Sequence, residues 1–99
     1  DYLRFRMTGV RATDASDAAG TLWFDQAART WSAPLVAASG LTPDQLPRVI
    51  EGTEPSATLR NDVADTLQLP RGIPVAGGGG DAAAGAVGIG AVEQGDAFV

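Results

Sequence analysis

The chain has 99 residues, a net charge of −5, 44% apolar residues, and neither cysteine nor histidine. Those absences remove disulfides, thiol chemistry, Ser-His-Asp and Cys-His catalysis and the usual zinc sites, so carboxylates are the strong bases left. The acidic balance and the scatter of seven arginines disfavour nucleic acid and anionic membranes as partners, and no apolar run approaches the ~18 residues of a membrane span.

Tyr2 to Met7 reads as the last turns of a helix, with Leu3 and Met7 one turn apart and Gly9 as the terminating glycine. Ala12 to Thr21 is dense in Asp, Ser and Thr, which bond their own backbone, and predicts a turn with a short helical segment. Asp14 and Asp17 stand three apart there, and backbone capping explains the pair better than paired-carboxylate catalysis. Thr21 to Phe24 and Thr30-Trp31 flank a polar link and predict a small hairpin. Ser32 is placed to cap a helix through Ala38, with Pro34 in its first turn and Gly40 at its end. Thr42-Pro-Asp-Gln45 spells a capping box that opens a one-turn helix before Pro47.

Arg48 to Thr58, rich in polar residues with Gly and Pro, reads as an extended surface connection. A further helix begins at Asn61 or Asp62, sets Val63 and Leu67 on one face and stops at Pro70. Arg71-Gly72 turns into a buried strand, Ile73 to Ala76. Four glycines and Asp81 follow, then a helix of small residues, Ala82 to Gly90, packed close to its neighbours. Glu93 to Asp96 turns into a last strand beginning at Ala97-Phe98-Val99. The pattern is mixed α/β with short connectors. Eighteen of the apolar residues are alanine, so the core is modest. A start at Asp1 inside a helix and a stop in an incipient strand predict a piece of a larger protein, soluble and cytoplasmic by default.

Most of the chemistry lies between Ile73 and Gly90. Asp81 sits at a strand-to-helix junction, where open α/β sheets place their ligands, and the glycines clear side chains from its approach. The ordinary duty of an Asp that opens a helix is an N-cap, which occupies one oxygen and leaves the other free. Phosphate-loop readings fail: a Walker A loop needs a lysine, and the chain has none. A forced dinucleotide fingerprint, Gly77-x-Gly79-x-x-Ala82, meets its acid, Glu93, too early and without a second strand. The glycines are expected to matter for their missing side chains, so that Gly79→Val would block substrate approach or demand a backbone that only glycine adopts.

Four segments in register resemble the FGGY carbohydrate kinases over essentially the whole chain: Asp1 to Gly9, Ala12 to Thr21, Trp31-Ser32, and Gly77 to Gly88 with Asp81. The Ser16-Asp17-Ala18-x-Gly20-Thr21 form resembles the D-xylulose branch, where glycerol kinases typically carry Asn-Ala-Ser-Arg. The resemblance implies a ribonuclease-H-like, actin-like α/β fold of two domains. Residues 1–92 would be the later part of the first domain, and residues 93–99 the start of the second, nucleotide-binding one. It implies transfer of the γ-phosphoryl group of ATP, with Mg2+, to a sugar hydroxyl, most directly D-xylulose to D-xylulose 5-phosphate. No nucleic acid or membrane is implied, and a homodimer is compatible with it.

Asp81 matches the family's catalytic aspartate, and Asp81 with Ala82 would meet the sugar. The family usually has an Asn or Gln after that aspartate; Ala82 offers no such hydrogen bond, which leaves the sugar open. The alternatives are another sugar or polyol kinase of the family, for glycerol or gluconate, and a non-catalytic actin-like module. Trp23 and Trp31 are expected as packing anchors ahead of stacking on a sugar. The ATP-binding residues would lie outside this chain, which is expected to hold no metal ligand. Alone, it is expected to be inactive and either poorly folded or self-associating through Tyr2-Leu3-Phe5 and Phe98-Val99.

Overall fold

Three short strand pairs linked by helices of one or two turns organise the computed structural model, which describes residues 1–97. Helix α1 (Tyr2–Thr8) ends where Gly9 turns left-handed at φ 77°, its N–H donating to the Phe5 carbonyl at 2.7 Å. Strand β1 (Ala12–Asp14) follows, buried at all three positions. The residues predict a turn here, because Ala-Thr-Asp has neither bulk nor alternation. Helix α2 (Ala15–Ala18) starts at once and runs into a 3-10 turn, Ala19–Thr21. The predicted hairpin forms from β2 (Phe24–Asp25) and β3 (Thr30–Trp31), with Phe24 opposite Trp31. Helix α3 (Ala33–Ala38) begins after Ser32, whose hydroxyl makes no cap bond, contrary to expectation. The capping box at Thr42 to Gln45 is present, the Thr42 N–H donating to Gln45 Oε1 at 2.8 Å over a 3-10 turn.

The segment expected to be a bare surface connection carries two strands, β4 (Arg48–Ile50) and β5 (Pro55–Thr58). β4 lies parallel to β1, from Ala12 opposite Arg48 to Asp14 opposite Ile50, and Ile50 is buried. A lone Val-Ile pair gives no period to read, so only the long-range pairing reveals it. Helix α4 (Asn61–Leu67) buries Ala64; Val63 and Leu67 share a face as expected, Val63 half-buried and Leu67 exposed. Strand β6 (Pro74–Ala76) pairs antiparallel with β5, with an irregularity between Pro55 and Ala57. It is not buried, because among the described residues β5 is its only partner. Helix α5 (Asp81–Gly88) buries no residue, so the expected close packing of its small residues is absent here. Glu93 to Asp96 turns as expected, the Glu93 N–H donating to Asp96 Oδ2 at 2.9 Å. In the strand expected at Ala97 to Val99, Phe98 and Val99 lie outside the described residues.

The core is small. Ala15, Ala18 and Phe24 form its centre, with Ala19, Trp31 and Val49 packed around them. The Phe24 and Trp31 rings meet edge to face at 6.0 Å and 84°, a favoured aromatic geometry. Both indole N–H groups are spent on the protein, Trp31 on the Pro47 carbonyl and Trp23 on Ser39 Oγ, each at 2.8 Å. Trp31 is a packing anchor, as expected; Trp23 is half-buried and is held by its bond to Ser39. Among the described residues no helix is long and apolar enough to cross a membrane.

Candidate active site

The glycine run is a crossing point for three other segments. The Gly77 N–H donates to the Glu54 carbonyl at 2.8 Å, and the Gly78 N–H to the Gly52 carbonyl at 3.0 Å. The Gly80 N–H donates to Ser16 Oγ at 2.9 Å. The Arg4 guanidinium donates to the carbonyls of Gly77 and Ala12 and, at 2.6 Å, to Asp1 Oδ1. Helix α1, the β1–α2 turn and the β4–β5 turn thus all hold this loop.

Side-chain-free backbone is required at particular glycines. A Cβ on Gly77 would stand 2.6 Å from the Glu51 carbonyl oxygen, and one on Gly52 only 2.4 Å from that of Gly78. Gly78 itself has φ +90°, which side chains disfavour. Gly79 is different: its φ is not left-handed, and a Cβ there would sit 3.7 Å from Ser16 Oγ, an ordinary contact. The expectation that Gly79 needs a glycine-only backbone is therefore corrected. The requirement belongs to Gly77, Gly78 and Gly52, and Gly52 carried no signal in sequence because its clash partner is 26 residues away.

Asp81 is the first residue of α5, and Gly80, not Asp81, is the N-cap. Its carboxylate is exposed; Oδ1 accepts from the Ala82 N–H at 2.9 Å, and among the described residues Oδ2 accepts no hydrogen bond. Ala82 is exposed beside it.

Asp14 and Asp17 part company. Asp14 is buried and caps α2, Oδ2 accepting from the Ser16 N–H at 2.9 Å, the Asp17 N–H at 3.2 Å and the Ser16 hydroxyl. The capping role expected of it is borne out. Asp17 makes no cap bond; it is exposed and faces a cleft. That cleft, of about 270 Å³, is lined by Arg4, Asp14, Asp17 and Gly77 to Gly79 among others. A second, of about 280 Å³, lies across the loop, between Ser16, Arg29, Glu51 and the side of α5. Asp81 lines neither. Glu51 is gripped by Arg29 at 2.6 Å through two hydrogen bonds. The hydrogen bond from Arg29 holds the Glu51 carboxyl below its ordinary range, and the same bond raises Arg29. The sequence points to Asp81 and its glycines but not to the parts played by Arg4, Ser16 and Glu51. Ser16 left a trace, the Asp-x-Ser spelling of an Asx turn; Arg4, 73 residues from Gly77, left none.

The described residues contain no group of three His, Cys, Asp or Glu side chains that could hold a metal ion.

The segment as a whole resembles known proteins. Residues 1–88 match the FGGY family of carbohydrate kinases, N-terminal domain, and the chain belongs to that family. Over all 99 residues it is 50% identical to a xylulose kinase of Klebsiella pneumoniae. The crystal structure of a xyloylose kinase from Brucella ovis superposes with a TM-score of 0.90 at 47% identity, covering 96% of this chain and 20% of that one. A gluconate kinase from Lactobacillus acidophilus superposes with a TM-score of 0.86 at 25% identity, covering 92% of this chain and 18% of that one. The chain spans about a fifth of the length of these relatives (20% of the Klebsiella protein). Its mixed α/β fold is thus part of the ribonuclease-H-like, actin-type fold of the FGGY kinases.

Proposed function

We propose that the longer protein carrying this segment phosphorylates a sugar hydroxyl with ATP, converting D-xylulose to D-xylulose 5-phosphate, with Asp81 as general base. The observation that carries the reading is the free Oδ2 of Asp81, exposed on the first turn of α5 and preceded by four residues without side chains. The 50% identity to a xylulose kinase supports the choice of sugar. Phosphoryl transfer to an alcohol passes through a loose transition state, so positioning and charge stabilisation supply most of the catalysis. A carboxylate is too weak a base to strip an alcohol beforehand. It accepts the hydroxyl proton in a hydrogen bond, orients the oxygen, and takes the proton late, as that oxygen bonds to phosphorus. Groups of this kind contribute ~10²–10⁴ in rate.

The nucleotide and its Mg2+ would be held by residues beyond this chain, in a domain whose start we place at residue 93. The family match ending at residue 88 and the turn at Glu93 to Asp96 support that boundary. Ala82 favours a second reading, a different sugar acid or polyol, because its methyl group supplies no hydrogen bond to a hydroxyl. Two measurements test both. Asp81→Asn in the full-length protein should fold normally and lose at least ~10²-fold in kcat; a near wild-type kcat refutes the assignment. ADP release over a panel of ketopentoses, aldonates and polyols decides the substrate, and a preference for gluconate or glycerol over D-xylulose replaces the first reading by the second.

A further inference from the structure

We infer that Ser16 is a positioning residue for Asp81, its hydroxyl tying the N-cap of α5 to the buried carboxylate of Asp14; the inference rests on the reading of Asp81 as general base. Three hydrogen bonds hold the N–H groups of the glycine loop, at Gly77, Gly78 and Gly80. The first two reach carbonyls of the β4–β5 turn and lie three or more residues before Asp81. The third, Gly80 N–H to Ser16 Oγ at 2.9 Å, is adjacent to Asp81 and comes from a side chain.

A serine hydroxyl has one proton and two lone pairs. Ser16 gives its proton to Asp14 Oδ2, so a lone pair is aimed at Gly80. Asp14 in turn cannot swing: it is buried, and the same oxygen also accepts the N–H groups of Ser16 and Asp17. Among the described residues no other side chain hydrogen-bonds the N-cap of α5. The helix buries no residue, and the backbone of Asp17 simply rests 3.5 Å from where a Gly80 Cβ would stand. Because the Gly80 bond is exposed, water replaces a lost hydroxyl at little cost in stability. What is lost is the fixed position of Asp81, and a displacement of ~1 Å at a reacting group costs up to ~10²-fold in rate.

The test uses the full-length protein, with ATP and its best sugar. Ser16→Ala should lower kcat roughly 10- to 100-fold while KM for ATP and the melting temperature stay near wild type. Ser16→Thr, which keeps the hydroxyl, should restore most of the rate. Should Ser16→Ala not fold, Ser16→Cys carries the same expected loss, since it has nearly the same shape and a poor hydrogen-bonding group. The double variant Asp81→Asn/Ser16→Ala should be no slower than Asp81→Asn alone, because Ser16 acts only through that carboxylate. A wild-type kcat in Ser16→Ala, equal losses in the Ala and Thr variants, or fully multiplicative losses in the double variant would each overturn the inference while Asp81 keeps its role. A wild-type rate in Asp81→Asn removes both.

Discussion

The β1–α2–hairpin region and the glycine loop with α5 are held in place by different forces. In the first, Ala15, Ala18 and Phe24 are buried, the Trp31 ring packs against them, and even Asp14 is buried. In the second, α5 has no buried residue, and Val87 and Ile89 are 68% and 69% exposed. The loop before it is placed by backbone hydrogen bonds and by close approaches that admit no Cβ. Burial gives one region its stability, while polar contacts give the other its geometry. Damage in the first should therefore appear as unfolding, and damage in the second as lost rate.

The largest effect is expected from Phe24→Ala in the full-length protein. Removing the main ring of so small a core should cost about 3 kcal/mol, seen as a lower melting temperature, while the molecules still folded turn over at the wild-type rate. A fall in kcat without a fall in stability would dissolve the distinction between the two regions. Gly77→Val should do the reverse. Its Cβ meets the Glu51 carbonyl at 2.6 Å, and the resulting shift of the loop should lower kcat by about 10²-fold, whereas Gly79→Ala, with room for a methyl group, should stay active. Equal activity in the two variants would show that the loop's backbone path is irrelevant to the reaction.

The smallest effect concerns the Arg29–Glu51 clamp beside Gly52. The hydrogen bond from Arg29 depresses the Glu51 carboxyl in the folded state. Its stabilising contribution is therefore complete above the ordinary carboxylate range and disappears as the pH falls through the depressed folded value. Both side chains are exposed, so the contribution is screened. The melting temperature of Glu51→Gln should lie slightly below wild type at neutral pH, and the gap should shrink in about 1 M salt and close in acid. A gap that persists in acid would mean that Glu51 acts through packing and not through its charge.

The chain is also thin for its length. Its extents are 41 × 38 × 19 Å and its radius of gyration is 15.6 Å, against ~13 Å for a compact domain of about 100 residues. Among the described residues each sheet has two strands, and strand pairs are marginal in water without further cover. These proportions suit one layer of a larger body, and they explain why so little of the expected burial is found in β6 and α5.

Local chemistry was legible in the residues. Gly9 and Gly40 stop helices through a left-handed backbone that glycine adopts freely, and both have positive φ, 77° and 73°. The Asx turn at Asp14, the capping box at Thr42, the hairpin of Phe24 and Trp31, and the acid after four glycines all depend on neighbours a few residues away. Such patterns are written in order along the chain. What the sequence could not disclose is pairing at a distance. β1 and β4 are too short and too mixed to show a period, and they become strands only because residues 36 apart in sequence lie alongside each other. Arg4 reaches Gly77, Gly52 meets Gly78, and Ser16 meets Gly80 across separations of 73, 26 and 64 residues. Residue types and spacing determined that a lone carboxylate would stand on a bare loop at a helix start. Only the tertiary structure decided which glycines must lack a side chain and which hydroxyl holds that carboxylate in place, because those are properties of atoms brought together by folding, not of their order along the chain.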